Sequence, residues 1–237
     1  MLYINIPTYN EAGNIDNLVE KISALGLDNY RILFIDDNSP DSTADVVRKI
    51  KNQNKQVELL VRETDKGFRL ATITGLKHAL AQGADRVLTM DCDLSHNPSD
   101  IPRILEKSKH ADVVVGSRYI RGGGVQNWHW LRRLISRSGN LYVRFILGLP
   151  VKDCTGSFRC YQSSVLKTID FTKLRSSGYA FAPETLFHVH RHGFKVVETP
   201  IIFTERQVGE SKFNSGMILE GLIGIFLLAV KYRWRKP

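Results

Sequence analysis

The stretch "VLTMDCDLSHNP", Val87 to Pro98, decides how the chain is read. It opens as the end of a buried strand, then sets Asp91 and Asp93 on either side of Cys92, just where that strand should emerge. In extended backbone, residues two apart project to the same side, so both carboxylates can approach one cation. Magnesium-type ions take one or two protein carboxylates and complete their octahedron with water and substrate phosphates. Such a pair at a sheet edge therefore suits a metal-diphosphate clamp. Taken alone it has a plainer reading, in which Asp93 or Ser95 caps the next helix and Asp91 merely ends a strand.

Working outward, β-rich runs alternate with amphipathic ones: "LYINI", "NIDNLVEKISAL", "RILFID", "TADVVRKIKNQ", "VELLV", "ATITGLKHALAQG", "RVLTMD", "DIPRILEKSK" and "DVVVG". That alternation predicts βαβ units and a mostly parallel sheet covered on both faces, an α/β fold. Ligands of such sheets collect beyond the carboxyl ends of the strands. Those ends here are "PTYNE", "DDNSPD", "DCDLSHNP" and "SRY". They are polar and acidic, and neither GxGxxG nor GxxxxGKS/T occurs, which argues against a simple dinucleotide dehydrogenase or a P-loop enzyme.

Composition sets the outer bounds. With 237 residues, 43% hydrophobic and 24% charged, the chain suits one large globular unit. A formal charge of +9 favours a phosphate-bearing partner: a nucleotide, a nucleic acid or an anionic membrane. No RNA-recognition or helix-turn-helix signature supports nucleic acid. Cys92, Cys154 and Cys160 lack metal-ligand spacing and fit reduced thiols. The start, "MLYINIPTYNE", has no secretory pattern, which leads us to expect a cytoplasmic location.

Beyond Arg121 the texture changes. "RGGGVQNWHWLRRLISRSGN" reads as a mobile glycine loop feeding a basic helix, "DCTGSFRCY" as a turn into a short strand, and "AFAPETLFHVHRHG" as a helix closed by Gly193. "FKVVETPIIFTER" reads as a strand pair broken at Pro200. The spacing of His188, His190 and His192 spreads them around a helix, so no metal site is expected there. "GMILEGLIGIFLLAV", followed by "KYRWRKP", is short for a membrane span; it suits either a core or contact helix, or an interfacial helix whose basic, Trp-bearing end meets headgroups.

"PTYNE", "DDNSPDST", "MDCDLSHNP", "GSRYIRGGGV", "LISRSGN", "DCTGSFRCY" and "ERQVGESK", in that order, resemble family 2 glycosyltransferases, most specifically the dolichyl (polyprenyl) phosphate mannose synthases. The resemblance implies a single GT-A, Rossmann-like domain over residues 1–213, with an apolar, basic-ended interfacial helix over 214–237 belonging to the same unit. It implies inverting transfer of a sugar, mannose from GDP-mannose, to a polyprenyl phosphate. Under it, Pro7, Tyr9, Glu11, Ile35, Asp37 and the Cys92 backbone hold the nucleotide, while Asp91 and Asp93 hold Mg2+ or Mn2+. Arg118 joins the two aspartates as a catalytic residue. Arg206 and Lys212 take the donor diphosphate, and Arg132, Ser136 and Arg137 the acceptor phosphate. Glu184 lies near the sugar; Thr155, Ser157 and Arg159 border the acceptor or simply form a turn.

The resemblance places the chain on the cytoplasmic face of a membrane, with a membrane-protein partner as another possible anchor and no role for nucleic acid. Departures fall at Cys92, where the family usually has Ala, at Arg69, where it has a second glycine, and at Ala182 and Pro183 in place of a family "FQME". They bear on the sugar more than on the reaction. The alternatives are a family 2 transferase for glucose or an aminosugar, one with a soluble acceptor, or a non-catalytic nucleotide-sugar or nucleic-acid binding module.

Overall fold

The structure is a computed structural model and describes residues 1–176, 178–205 and 215–232. In its first half β1 (Leu2–Thr8), α1 (Ala12–Ser23), β2 (Tyr30–Asp36), α2 (Thr43–Gln53), β3 (Val57–Val61), α3 (Phe68–Ala81), β4 (Arg86–Thr89), α4 (Ile101–Lys107) and β5 (Val113–Ser117) follow the predicted alternation. Then come β6 (Gly124–Gln126), α5 (Trp130–Leu147), β7 (Arg159–Gln162), α6 (Ser163–Thr168), α7 (Phe181–Arg191), β8 (Val196–Pro200), β9 (Ile202–Thr204) and α8 (Ser215–Tyr232).

The main sheet has the order β3-β2-β1-β4-β7-β5-β8. All neighbours are parallel except β7, which runs antiparallel to both β4 and β5. That reversal matters for the site. Arg159, the first residue of β7, pairs with Thr89 at the end of β4 and with Val115 near the end of β5. The 153–158 loop is therefore delivered to the same sheet edge as the parallel strands' carboxyl ends.

Strand alternation sorts the core into two layers. Tyr3, Leu33, Ile35, Val87, Val113, Val115 and Tyr161 face the layer containing buried residues of α3, α5, α6, α7 and α8. Leu2, Ile4, Ile6, Ile32, Phe34, Leu88, Val114 and Cys160 face the layer containing α1, α2 and α4. At Gly75, α3 approaches the sheet so closely that a Cβ would overlap Asn5 Oδ1 and lie 2.8 Å from Ile35 Cδ1. Ile35 is consequently sealed under the helix and fully buried. The Ile35 side chain therefore supports the sheet, leaving its backbone as the part that could meet a nucleotide.

Two readings change. β4 stops at Thr89 because Met90 N still bonds Asn5 O while Asp91 N turns to the His96 ring, so Asp91 and Asp93 occupy a turn, not extended backbone. The pair "VVETP" and "IFT" breaks at Ile201, with Pro200 inside the edge strand β8.

On α8, Ile225 and Leu228 join the core, and Tyr142 of α5 donates to Leu222 O at 3.0 Å. No helix among the described residues is long and apolar enough to cross a membrane. His188 of α7 meets Tyr232 of α8 edge-on at 5.2 Å, and its Nε2 has no hydrogen-bond partner among the described residues. Burial, then the charges of His192, Arg191, Lys173 and Lys231, push His188 down from 6.5 to about 4. The unfolded chain thus binds the extra proton more readily. The stability contributed by the neutral His188 ring is complete above about pH 6.5 and is lost as pH falls toward about 4. Thermal melts should show wild type losing several more degrees than His188→Leu between about pH 7 and 5; equal slopes would reject this assignment.

Candidate active site

The turn after β4 is built by short side chains. Asp93 Oδ1 accepts from Ser95 N at 3.1 Å and from Ser95 Oγ at 2.5 Å, closing an Asx turn, while Leu94 takes the left-handed region at φ 60. Asp91 N donates to His96 Nδ1 at 3.1 Å, so that nitrogen carries a lone pair and the ring's proton sits on Nε2. His96 is buried, stacked on Phe158 at 4.9 Å with Phe203 edge-on at 5.4 Å. From the opposite side, Ser157 Oγ donates to Asp91 Oδ1 at 2.9 Å. Ser157 thus borders the acidic pair directly, through the loop that antiparallel β7 delivers.

Four carboxylates act electrostatically on Cys92. Burial first, then the charges of Glu11, Asp93, Asp91 and Asp41, drive its thiol well above the ordinary value. Asp91 and Asp93 are the members of that set that follow β4, and a bound cation would offset their charge. The hard carboxylate oxygens of Asp91 and Asp93 are of the kind that suits Mg2+ or Mn2+.

The ends of β1 and β2 supply the adjacent wall. Asp36 is wholly buried and accepts from Ser39 N at 3.0 Å and Ser39 Oγ at 2.5 Å. Asp37 pairs with Arg62 and takes Gly67 N at 2.5 Å, tying the "DKG" loop to the sheet. Asp41 takes Thr43 N at 3.0 Å and Ala12 N at 3.1 Å, joining the starts of α1 and α2. Glu11 accepts from Asn14 at 2.7 Å, and Tyr9 is exposed at the rim. Pro7 lines a small recess with Asp91, Ser157, Phe68 and Ala182.

The arginine side is organised around a residue that sequence reasoning passed over, Asp153. Arg118 is 9% exposed and grips Asp153 with Nε and Nη2, both at 2.7 Å, while Nη2 also donates to Thr155 at 2.8 Å. Burial alone would lower the Arg118 pKa, but Asp153 overrides it and raises it; the same pairing holds the Asp153 carboxyl below its usual range against burial. Arg118 is therefore anchored inward. Asn140 of α5 takes Cys154 N at 2.8 Å and gives its amide to Thr155 at 3.1 Å, and Tyr119 OH meets Ser136 at 2.6 Å. The basic helix is thereby fastened to the loop that touches Asp91.

Arg132 pairs with Glu205 and stacks on Trp128 at 4.1 Å, whereas Arg137 is exposed on the outer face. Glu184 is buried in α7 and accepts Ser176 N at 2.8 Å. Arg159 is also buried, bonding Ala182 O at 2.7 Å and Cys154 O at 2.8 Å, which locks α7 to the same loop. Arg206 and Lys212 lie outside the described residues. Of the residues missed, Asp153 and Asn140 stand inside quoted motifs; their signal was a polar residue at the edge of a turn, which short-range pattern cannot tell from a surface one.

The same arrangement of sheet and helices occurs in glucosyl-3-phosphoglycerate synthase of Mycobacterium tuberculosis, solved with Mn2+, UDP and glucosyl-3-phosphoglycerate; the match covers 97% of this chain and 79% of that one, with a TM-score of 0.69 and 16% identity. That likeness defines the class of fold, the GT-A type of α/β sheet. In sequence, the pattern describing glycosyl transferase family 2 matches residues 3–170. The chain is 37% identical to undecaprenyl-phosphate mannosyltransferase of Micrococcus luteus, over 97% of this chain and 94% of that one. It is 36% identical to polyprenol monophosphomannose synthase of Mycolicibacterium smegmatis, over 93% and 83%. The chain belongs to glycosyl transferase family 2 and is a glycosyltransferase.

Proposed function

We propose that this enzyme transfers mannose from GDP-mannose to a polyprenyl phosphate, with inversion, at the cytoplasmic face of a membrane. The observation that carries the reading is the joining of the acidic strand ends to a basic helix whose outer surface is apolar. On α5, Trp130, Leu134, Leu141 and Phe145 form one exposed stripe at helical spacing, with Arg137 in its line. Arg133 and Arg144 are exposed on the same helix, and α8 adds exposed Ile223, Phe226, Leu227 and Val230 beside it. Apolar residues interleaved with arginines suit an anionic bilayer surface, where a lipid-borne phosphate is found.

In this reading Pro7, Tyr9, Glu11, the Ile35 backbone, Asp37 and the Cys92 backbone receive the nucleotide, and Asp91 and Asp93 hold the divalent ion. Once bound, that ion neutralises charge on the departing diphosphate. Arg206 and Lys212 serve the diphosphate, Arg132, Ser136 and Arg137 the acceptor, and Glu184 lies on the sugar side. Arg118 contributes by holding the Asp153 loop in place. The acceptor oxygen forms a bond to the anomeric carbon as the bond to the diphosphate breaks, and a single displacement inverts the centre. A phosphate monoester is already largely anionic at neutral pH, so it needs positioning more than a base.

The test is transfer from radiolabelled GDP-mannose into organic-extractable polyprenyl phosphate, with and without Mg2+ or Mn2+, together with co-sedimentation on anionic vesicles. Metal-dependent labelled lipid, and vesicle binding weakened by Phe145→Asp, are expected. Labelled lipid only from another nucleotide sugar would overturn the mannose assignment, and a water-soluble product would overturn the lipid acceptor.

A further inference from the structure

Arg132 is held on two sides. Its guanidinium lies 4.1 Å from the centre of the buried Trp128 ring, and its Nη1 pairs with Glu205. Neither partner is placed by chance. β6 and β9 run parallel with Gln126 opposite Thr204; Thr204 N bonds Ser95 O at 3.2 Å, and Glu205 N bonds Gln126 O at 3.3 Å. The small sheet thus ends by presenting a carboxylate to the first turn of α5, from a position anchored to the "DLSH" turn. Arg132 and Glu205 remain 26% and 36% exposed, so the pair is open to exchange.

One turn along the helix, Ser136 is bonded to Tyr119, whose ring lies under Arg118 at 5.2 Å. In the proposed function, Arg132 heads the acceptor-phosphate set while α5 turns its apolar stripe to the bilayer. At that surface, anionic phosphodiester headgroups, unlike zwitterionic ones that carry their own counter-charge, compete for the same arginine. A carboxylate and a phosphodiester each carry one negative charge, so exchanging one for the other at Arg132 gains no Coulomb energy. A monoester carries between one and a half and two charges and presents three strong acceptor oxygens, so it gains both ways.

We infer that Glu205 is a specificity-determining residue whose carboxylate occupies Arg132 until a phosphate monoester displaces it, screening the acceptor site from headgroups of net negative charge. This rests on the lipid-phosphate reading above. Glu205 acts as an internal competitor, set at a strength that the acceptor overcomes and the bulk lipid does not. Removing its charge should therefore improve acceptor binding in neutral lipid and expose the enzyme to anionic lipid.

The experiment compares wild type with Glu205→Gln, measuring the KM for polyprenyl phosphate in phosphatidylcholine vesicles with and without phosphatidylglycerol. In phosphatidylcholine the variant's KM should fall by about 2- to 5-fold, the range of an exposed ion pair. Phosphatidylglycerol should then raise the variant's KM, relative to wild type, by a similar factor. A KM raised equally in both lipids would mean that Glu205 merely braces Arg132, and an identical response to phosphatidylglycerol in both proteins would mean that it screens nothing; either overturns the inference while leaving the function intact. Folded wild type that labels no polyprenyl phosphate from any nucleotide sugar would sink the function itself, and the inference with it.

Discussion

Asparagine in place of Asp93 is expected to lower sugar transfer by about 100- to 1000-fold while leaving the melting temperature nearly unchanged. The substitution separates two jobs of one side chain. The asparagine amide would still offer a carbonyl oxygen to Ser95 N and Ser95 Oγ, so the Asx turn that orients "DCDLSH" survives. What disappears is one of the carboxylate charges acting on Cys92. A divalent ion bound there loses a hard anionic ligand, and Mn2+ binding in the presence of GDP, followed by electron paramagnetic resonance, should weaken in parallel with the rate. Full activity in a folded Asp93→Asn protein would show that the acidic turn is a structural device. A large fall in melting temperature would assign its main role to the fold.

Alanine at Asp153 should act in the opposite sense, on stability first. Asp153 is fully buried, and beyond its two contacts with the Arg118 guanidinium it accepts from Arg118 N at 2.9 Å and Gly156 N at 3.1 Å. Its removal leaves a buried guanidinium without its counter-charge, a change that typically costs about 3–5 kcal/mol. For a chain of this length that amounts to roughly 6–20 °C of melting temperature. The damage should spread, because the loop Asp153 closes carries Thr155 to Asn140 and Ser157 to Asp91. Activity measured well below the lowered melting temperature should still be reduced. Conversely, Asp153→Ala melting within about a degree of wild type would remove Arg118 and Asp153 from the centre of the account.

The sequence was legible where physics is local. Hydrophobic alternation announced the strands, and the acidic clusters after "LYINI", "RILFID" and "RVLTM" marked one sheet edge, because parallel strands must all end there. The motif order was sufficient to name the family, and the family pattern over residues 3–170 bears that out. Local pattern misled at Asp91 and Asp93, where an extended spacing was read into a turn, since nothing in "MDCDLSHNP" reveals that His96 reaches back to the Asp91 amide. Nor could it show that α3 covers the Ile35 side chain, which the close approach of Gly75 reveals.

By itself, then, the amino-acid sequence determined the α/β alternation, the family and the kinds of residue available for chemistry, all properties carried by short segments and their order. Only the tertiary structure decided that β7 runs antiparallel, that Ser157 meets Asp91, that Arg118 turns inward to Asp153 and that Glu205 holds Arg132. Each joins residues separated by 35 to 73 positions or sets the direction of a strand. Such contacts depend on how whole elements pack, and the same aspartate or arginine reads identically in sequence whether it meets water, a counter-charge or a substrate.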